Sequence, residues 1–293
     1  MKKIGLLGLM LISWGIWFGL RSSTPTVSSV VANTTPLPQK NIRYEQRTLP
    51  ESIVHILWIP SNSRFLVTPA LSTTLKTIEE FADNHQAIAI LNAGFFDPAN
   101  QKSTSYVVLA GEIAADPKQN ERLVNNPNLK PYLSQIFNRS EFRRYECGQT
   151  IRYDIALHND AAPVGCKLID AMGAGPSLLP ELKSVQEGFV DRTQGRDALG
   201  SQQPNARTAI GITNDGSIVL VMVTQKPATS VSGMTLPGLA DFMKTLGAQK
   251  AMNLDGGSSS SLYYNGKTVY GRMNAEGNPV KRPVKSVLLI QEK

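Results

Sequence analysis

The chain has 293 residues, 41% of them hydrophobic and 18% charged, with a formal net charge of +7 and two cysteines. These figures exclude an intrinsically disordered chain and a thiolate metal cluster, and the length accommodates one large domain with a substantial core. The basic residues are scattered and not interleaved with aromatics, which argues against a nucleic-acid partner and suits an anionic small substrate.

Residues 1–32 read as a targeting segment. Lys2-Lys3 is a positive start, Ile4 to Leu20 carries no charge, and no acid occurs before residue 33. The apolar run is long for a signal peptide and short for a full span, so residues 1–32 are expected to be a signal peptide or an N-terminal membrane anchor through residues 4–20. Val30-Val31-Ala32 is a permissible cleavage site. Either reading exports the protein to the periplasm, the medium or the outer face of a membrane. Residues 33–50, with Thr34-Thr35-Pro36-Leu37-Pro38, are expected to be an extended linker, and 51–293 the globular domain.

Strands are predicted at Ile53–Trp58 and Arg64–Thr68. Leu75, Ile78, Phe81 and Ala82 then fall at helical spacing, with Ser72, Thr73 and Thr74 as candidate caps. The buried strand Ala87–Leu91 runs into Asn92-Ala93-Gly94-Phe95-Phe96-Asp97-Pro98, which reads either as a site-forming loop or as a plain strand end with a turn. From Ala114 to Arg152 the pattern loosens, and a long surface excursion or lid is expected. Cys147 and Cys166 would close a loop of about 20 residues; in an exported chain pairing is expected and worth roughly 3 kcal/mol, with two free thiols as the alternative.

Asp170 to Leu179 includes Gly173-Ala174-Gly175-Pro176, a glycine-rich strand end that does not match a dinucleotide fingerprint. Arg207–Thr213, the turn Asn214-Asp215-Gly216 and Ser217–Thr224 form a predicted hairpin. Arg207 is either a bidentate partner for a phosphate or a solvated strand-end charge. A helix is predicted over Thr235–Leu246, capped by Thr235 and closed by Gly247. The strand Ala251–Leu254 feeds Asp255-Gly256-Gly257-Ser258-Ser259-Ser260-Ser261, where an acid leaves the core and glycines and hydroxyls follow. A hairpin over Leu262–Tyr270 and a last strand at Val287–Ile290 complete an α+β class, one domain with a mixed or antiparallel hairpin-linked sheet and a few packing helices.

Taken in order, Leu91-Asn92-Ala93-Gly94-Phe95-Phe96-Asp97, Gly173-Ala174-Gly175-Pro176, Arg207-Thr208-Ala209-Ile210-Gly211, and Gly233-Met234-Thr235-Leu236-Pro237 leading to Asn253-Leu254-Asp255-Gly256-Gly257-Ser258-Ser259-Ser260 resemble the phosphodiester glycosidase family. Arg282-Pro283-Val284 also fits, and the resemblance spans residues 50–293. Ala93 and Ser258 stand where the family usually has glycine. The resemblance implies a hydrolase that cleaves the anomeric bond of a sugar-1-phosphodiester, with a small-molecule or glycan phosphodiester as partner. Glycosidases generally use two carboxylates. Asp255 is the expected nucleophile or base, with Asp97 the candidate partner and Glu112 and Asp191 further candidates. Arg207, Gly256, Gly257, Ser259 and Ser260 are expected to bind phosphate, Asn92 to bond a sugar hydroxyl or orient Asp255, and Gly94 to belong to the substrate- or phosphate-binding set. No cofactor is required. Asp97, Asn92 and Asp255 offer oxygen ligands to a divalent metal, but no spacing specifies one. Two other classes compete: a non-catalytic envelope protein binding anionic glycans, and a serine hydrolase using the Ser258–Ser261 run. The histidines His55, His85 and His158 show no triad context for the latter.

Overall fold

The computed structural model describes residues 41–227 and 232–293. The expected leader or anchor at 1–32 lies outside the described residues.

Among the described residues, three large antiparallel sheets make up the scaffold, and a two-stranded ribbon pairs Val190–Asp191 with Arg196–Asp197. The first runs in the order Arg43–Thr48, Ser52–Ile59, Ile218–Gln225, Arg207–Thr213, Ala248–Asn253 and Ser177–Leu179. The second runs Lys267–Tyr270, Ser261–Tyr264, Ala89–Asn92, Val284–Glu292 and Phe65–Lys76. The third runs Glu112–Ala115, Val107–Leu109, Cys166–Gly173, Ser140–Cys147 and Thr150–Leu157.

Strand periodicity explains how the first two sheets stack. Along Ile218–Gln225, Ile218, Leu220 and Met222 enter the central core, while Val219, Val221 and Val223 face the opposite cluster. The second sheet does the same: Leu288 and Ile290 point into the central core, Val287 and Leu289 away from it. Sheets buried on both faces need continuous apolar runs, and these strands supply them. The helix Leu236–Thr245 covers the outer face of the first sheet through Leu236, Leu239, Ala240 and Met243. The helix Ile78–His85 covers the outer face of the second through Ile78, Phe81 and Ala82. The third sheet adds Val107, Phe142, Ile155 and Met172 to the shared core.

The predicted hairpins at Asn214-Asp215-Gly216 and Asn265-Gly266 are present, the latter with both turn residues at positive φ of 49° and 76°. Thr235 caps the helix Leu236–Thr245 by accepting the Gly238 N–H, as its position predicts. Cys147 and Cys166 are bonded, and face each other across neighbouring strands of the third sheet.

Three expectations are corrected. The expected linker to residue 50 includes an edge strand, Arg43–Thr48, paired along its length with Ser52–Ile59. The first helix starts at Ile78 under Thr77, not under Ser72–Thr74, because the strand Phe65–Lys76 continues through those residues to pair with Val284–Glu292. Thr77 and Glu80 close a reciprocal capping box there. The expected surface excursion from Ala114 to Arg152 contains an interior strand of the third sheet, Ser140–Cys147, paired on both sides. Its polar look is misleading. Glu141 and Arg143 are buried, and form an ion pair at 2.8 Å with both side chains at most 3% exposed.

Candidate functional site

The site is assembled where strands of the first two sheets end side by side. Asn92 closes Ala89–Asn92 and is fully buried. Its Nδ2 donates to the main-chain carbonyl of Asp255 at 2.5 Å. Its Oδ1 accepts from the Thr208 hydroxyl and the Ser261 N–H, each at 3.0 Å. One amide thus ties together three chain segments far apart in sequence. The Asp255 N–H donates to the Ala93 carbonyl at 2.7 Å, and the preceding Leu254 N–H to the Thr208 carbonyl at 2.8 Å. Asp255 is thereby held by its backbone on both sides.

Ala93 adopts no left-handed backbone, so its methyl is tolerated. Gly94 has a different reason to be glycine: a Cβ would come within 3.0 Å of the Met172 sulfur and 3.1 Å of the Gly173 carbonyl. Close approach of the Asn92 loop to the Gly173 strand end is what that position serves.

The Asp255 residue is partly exposed, but its carboxyl is hemmed in by protein. Desolvation pushes its pKa up to about 6, against the opposing pull of the Ser259 hydroxyl, the Arg282 charge and the Gly256 N–H. Arg282 is the one charged side chain that perturbs it. The guanidinium of Arg282 lies over the Phe96 ring at 5.5 Å and donates from Nη1 to the Ser258 hydroxyl at 3.3 Å. The chain turns through Gly257, at φ +59°, into a short 3-10 turn over Gly257–Ser259. Ser258 thus offers its hydroxyl to Arg282 at a position where a third glycine gives way without strain.

Other expected site residues have different occupations. The Gly257 N–H is spent on the Ala206 carbonyl at 2.8 Å. A Cβ on Gly256 would press to 3.1 Å on the same carbonyl, so the glycine pair lets the loop lie against Ala206. Ser259 turns its hydroxyl toward Asp255, while Ser260 is fully buried with its Cβ facing Gly271. Arg207 is 3% exposed and sends Nε to the Met234 carbonyl, Nη1 to Leu199, and Nη2 to Gly200 and Gln203, at 2.8–3.0 Å. Four of its five N–H groups therefore brace loops inside the protein. Burial lowers its pKa to about 10.

Asp97 sits in the turn after Phe96. Partial burial raises its pKa, but the Ala99 N–H and the Arg122 guanidinium, at 2.8 Å each, together hold it below the ordinary value. No hydrogen bond or ion pair joins it to Asp255. Glu112 lies exposed on an edge strand, and Asp191 accepts from the Tyr132 hydroxyl at 2.9 Å and from Thr193. Sequence reasoning missed Glu187. It is 1% exposed, accepts from Ser140 and Ser177, and underlies Gly175, where a Cβ would meet its Oε2 at 2.3 Å. Burial raises its pKa. It positions the Gly173–Pro176 loop, which in turn holds the strand feeding Asp255: the Gly175 N–H donates to the Asn253 carbonyl and Asn253 Nδ2 returns a bond, both at 2.9 Å.

None of the three histidines bonds to the serine run. His55 takes the Tyr44 hydroxyl, His85 stacks on Phe81, and His158 pairs with Glu141. Among the described residues, no three His, Cys, Asp or Glu side chains converge as a metal site.

These features define an α+β scaffold that presents one desolvated carboxyl, flanked by an arginine and hydroxyls, at the abutting ends of two sheets. The phosphodiester glycosidase family model matches residues 85–291, and the chain belongs to that family. No curated protein matches. Among solved structures, the catalytic domain of zebrafish N-acetylglucosamine-1-phosphodiester alpha-N-acetylglucosaminidase, auto-inhibited by its pro-peptide, shares the fold at TM-score 0.61 and 18% identity. That comparison covers 89% of this chain and 85% of the zebrafish one. A hypothetical protein from Synechocystis aligns at TM-score 0.57 and 18% identity over 86% of this chain, which spans 62% of that protein's length.

Proposed function

We propose that this protein is an exported glycosidase that hydrolyses the anomeric bond of a sugar-1-phosphodiester. The observation that carries the reading is Asp255: a carboxyl with its pKa pushed up to about 6 and under the influence of the Arg282 charge, within the stretch that matches the family. Such a group is ionised near neutral pH yet basic enough to accept a proton.

Ionised Asp255 either takes the proton of the water that attacks the anomeric carbon, or attacks that carbon itself to form a glycosyl ester that water then hydrolyses, freeing the sugar and the carboxylate. As the carbon–oxygen bond breaks, its electron pair leaves on the phosphate, which departs as a phosphomonoester. A phosphomonoester is a fair leaving group, so charge neutralisation replaces full proton donation. Arg282 is the cation placed to provide it, with the Ser258 hydroxyl beside it. Arg207, committed to loop carbonyls, acts by keeping the Arg207–Thr213 strand and the Met234 segment in place. Retention or inversion at the released sugar distinguishes the nucleophile from the base role.

Export is supported by the disulfide and by the sequence of residues 1–32. Envelope glycans and sugar-phosphate polymers are the substrate classes that fit such a location.

The test is an incubation of the full chain with alkyl and aryl phosphodiesters of several sugars, scored for free reducing sugar. Release from at least one supports the proposal. Saturable binding with no release from any of them would make the protein a glycan-binding module instead.

A further inference from the structure

Two arginines in this fold are committed to the protein itself. Arg143 donates to Glu141, the Tyr145 hydroxyl and the carbonyls of Leu157, His158 and Asp160, while Arg207 takes four carbonyls. Arg139 and Arg196 are arranged differently. Arg139 gives Nε to the Glu187 carbonyl at 3.0 Å and lays its guanidinium 3.7 Å from the centre of the Phe189 ring. Arg196 gives Nε to the Gly188 carbonyl at 3.3 Å and lies 4.7 Å over the Tyr132 ring. The two anchoring carbonyls are consecutive in the chain, and the Arg196 charge acts on Arg139. Each keeps its two terminal amino groups without a hydrogen-bond partner among the described residues.

Neighbouring acids do not fill that role. The Glu187 oxygens accept from the Ser140 N–H and hydroxyl and the Ser177 N–H. Asp191 accepts from Tyr132, Thr193 and Gln194. Burial chiefly, and the nearby Arg196 charge in addition, lower the pKa of Arg139 to about 9, against the pull of Glu187. Two like charges pinned together by stacking and carbonyl bonds repel each other, and an anion bridging them relieves that repulsion. Arginine forks match phosphate oxygens bidentately, which a lysine pair would not.

We propose that Arg139 and Arg196 together form a binding site for a phosphoryl group. Arg196 and Tyr132 line a surface cleft of about 1210 Å³, and Arg139, outside that lining, is itself partly exposed. Phe189, under Arg139, contacts Phe95 at 5.7 Å, and Phe95 belongs to the same loop as Ala93, whose carbonyl holds the Asp255 N–H. The pair therefore adjoins the loop system of the candidate active site. The site requires no hydrolysis, and its test uses no turnover.

The experiment follows the arginine side-chain Nε–H signals of the full chain by NMR while inorganic phosphate is added at constant ionic strength, with chloride as the control. The Arg139 and Arg196 signals are expected to shift saturably with phosphate and not with chloride. Arg196→Gln should weaken phosphate binding at Arg139 by tenfold or more, Arg196→Lys should restore part of it, and Arg282→Gln should leave it unchanged. Melting temperatures confirm that each variant is folded, and Arg139→Gln, read at Arg196, is the reciprocal variant. Signals that ignore phosphate, or an Arg139 response that survives Arg196→Gln undiminished, overturn the proposal.

Discussion

Asn92 and Asp255 are joined by a 2.5 Å hydrogen bond from the Asn92 amide to the Asp255 carbonyl, across 163 residues of sequence. The bond fixes the backbone from which the Asp255 carboxyl projects, and the same amide holds Thr208 and Ser261. Replacing Asn92 with Ala strands three buried polar groups, each costing about 1–3 kcal/mol if left unsatisfied. Asn92→Ala is expected to lower the denaturation midpoint clearly and to depress turnover more than substrate affinity. Chemical unfolding and a KM-against-kcat comparison check both.

The carboxyl of Asp255 gives a signed pH prediction. As a nucleophile or base it must be ionised, so kcat/KM is expected to rise with pH through about 6 and then level off. Arg282 holds that pKa down, so Arg282→Gln should move the rising limb to higher pH. A profile that instead falls as pH rises through 6 would assign Asp255 as an acid. Stability runs the other way. The folded pKa is raised from 3.8 to about 6, so the folded chain retains a proton that the unfolded chain loses in that window. The resulting stabilisation is present at low pH and lost as pH rises through about 6. Asp255→Asn is therefore expected to be more stable than wild type above pH 6, by about 3 kcal/mol at most, and indistinguishable below pH 4. Thermal melts at the two pH values decide it.

Arg207 is expected to behave as a structural brace. Arg207→Ala leaves four carbonyls short of a charged donor and should cost roughly 3 kcal/mol or more, and Arg207→Lys should rescue little because one ammonium cannot reach all four. The measurement is unfolding by denaturant, compared with Arg282→Gln, which should leave stability nearly unchanged while reducing activity.

The legible part of the fold was whatever follows from periodicity and turn chemistry. Both-faces-buried strands such as Ile218–Gln225, the Asn265-Gly266 turn and the Thr235 cap announce themselves locally. The Ser140–Cys147 strand did not, because its buried Glu141 and Arg143 pair with each other and read as surface residues. At the site, the Asp255 loop and Asn92 were legible as polar residues at strand ends. What each donor is occupied with was not, since Arg207 and Gly257 are spent on carbonyls that only the tertiary structure brings near. Arg282 carried part of the resemblance but had no role, and Glu187 was missed, for the converse reason: neighbours such as Ser258 and Phe96 for the one and Ser140 for the other come from other segments of the chain.

The disulfide is expected to contribute stability without touching the chemistry. Cys147 lies at the opposite end of its strand from Ser140, the residue that contacts Glu187. With the bonded cysteines 19 positions apart in sequence, the paired substitution Cys147→Ser with Cys166→Ser should cost roughly 3 kcal/mol. Steady-state kinetics at a temperature where both forms are folded should show an unchanged kcat.

Asp255 is the group proposed to do the chemistry. Sugar release from a sugar-1-phosphodiester, measured at a pH above 6 for wild type and a demonstrably folded Asp255→Asn, tests this most directly. The wild type is predicted to release reducing sugar and the variant to be slower by roughly 10²–10⁴-fold with binding retained. Equal rates in the two proteins, or no release by the wild type from any such substrate, would contradict it.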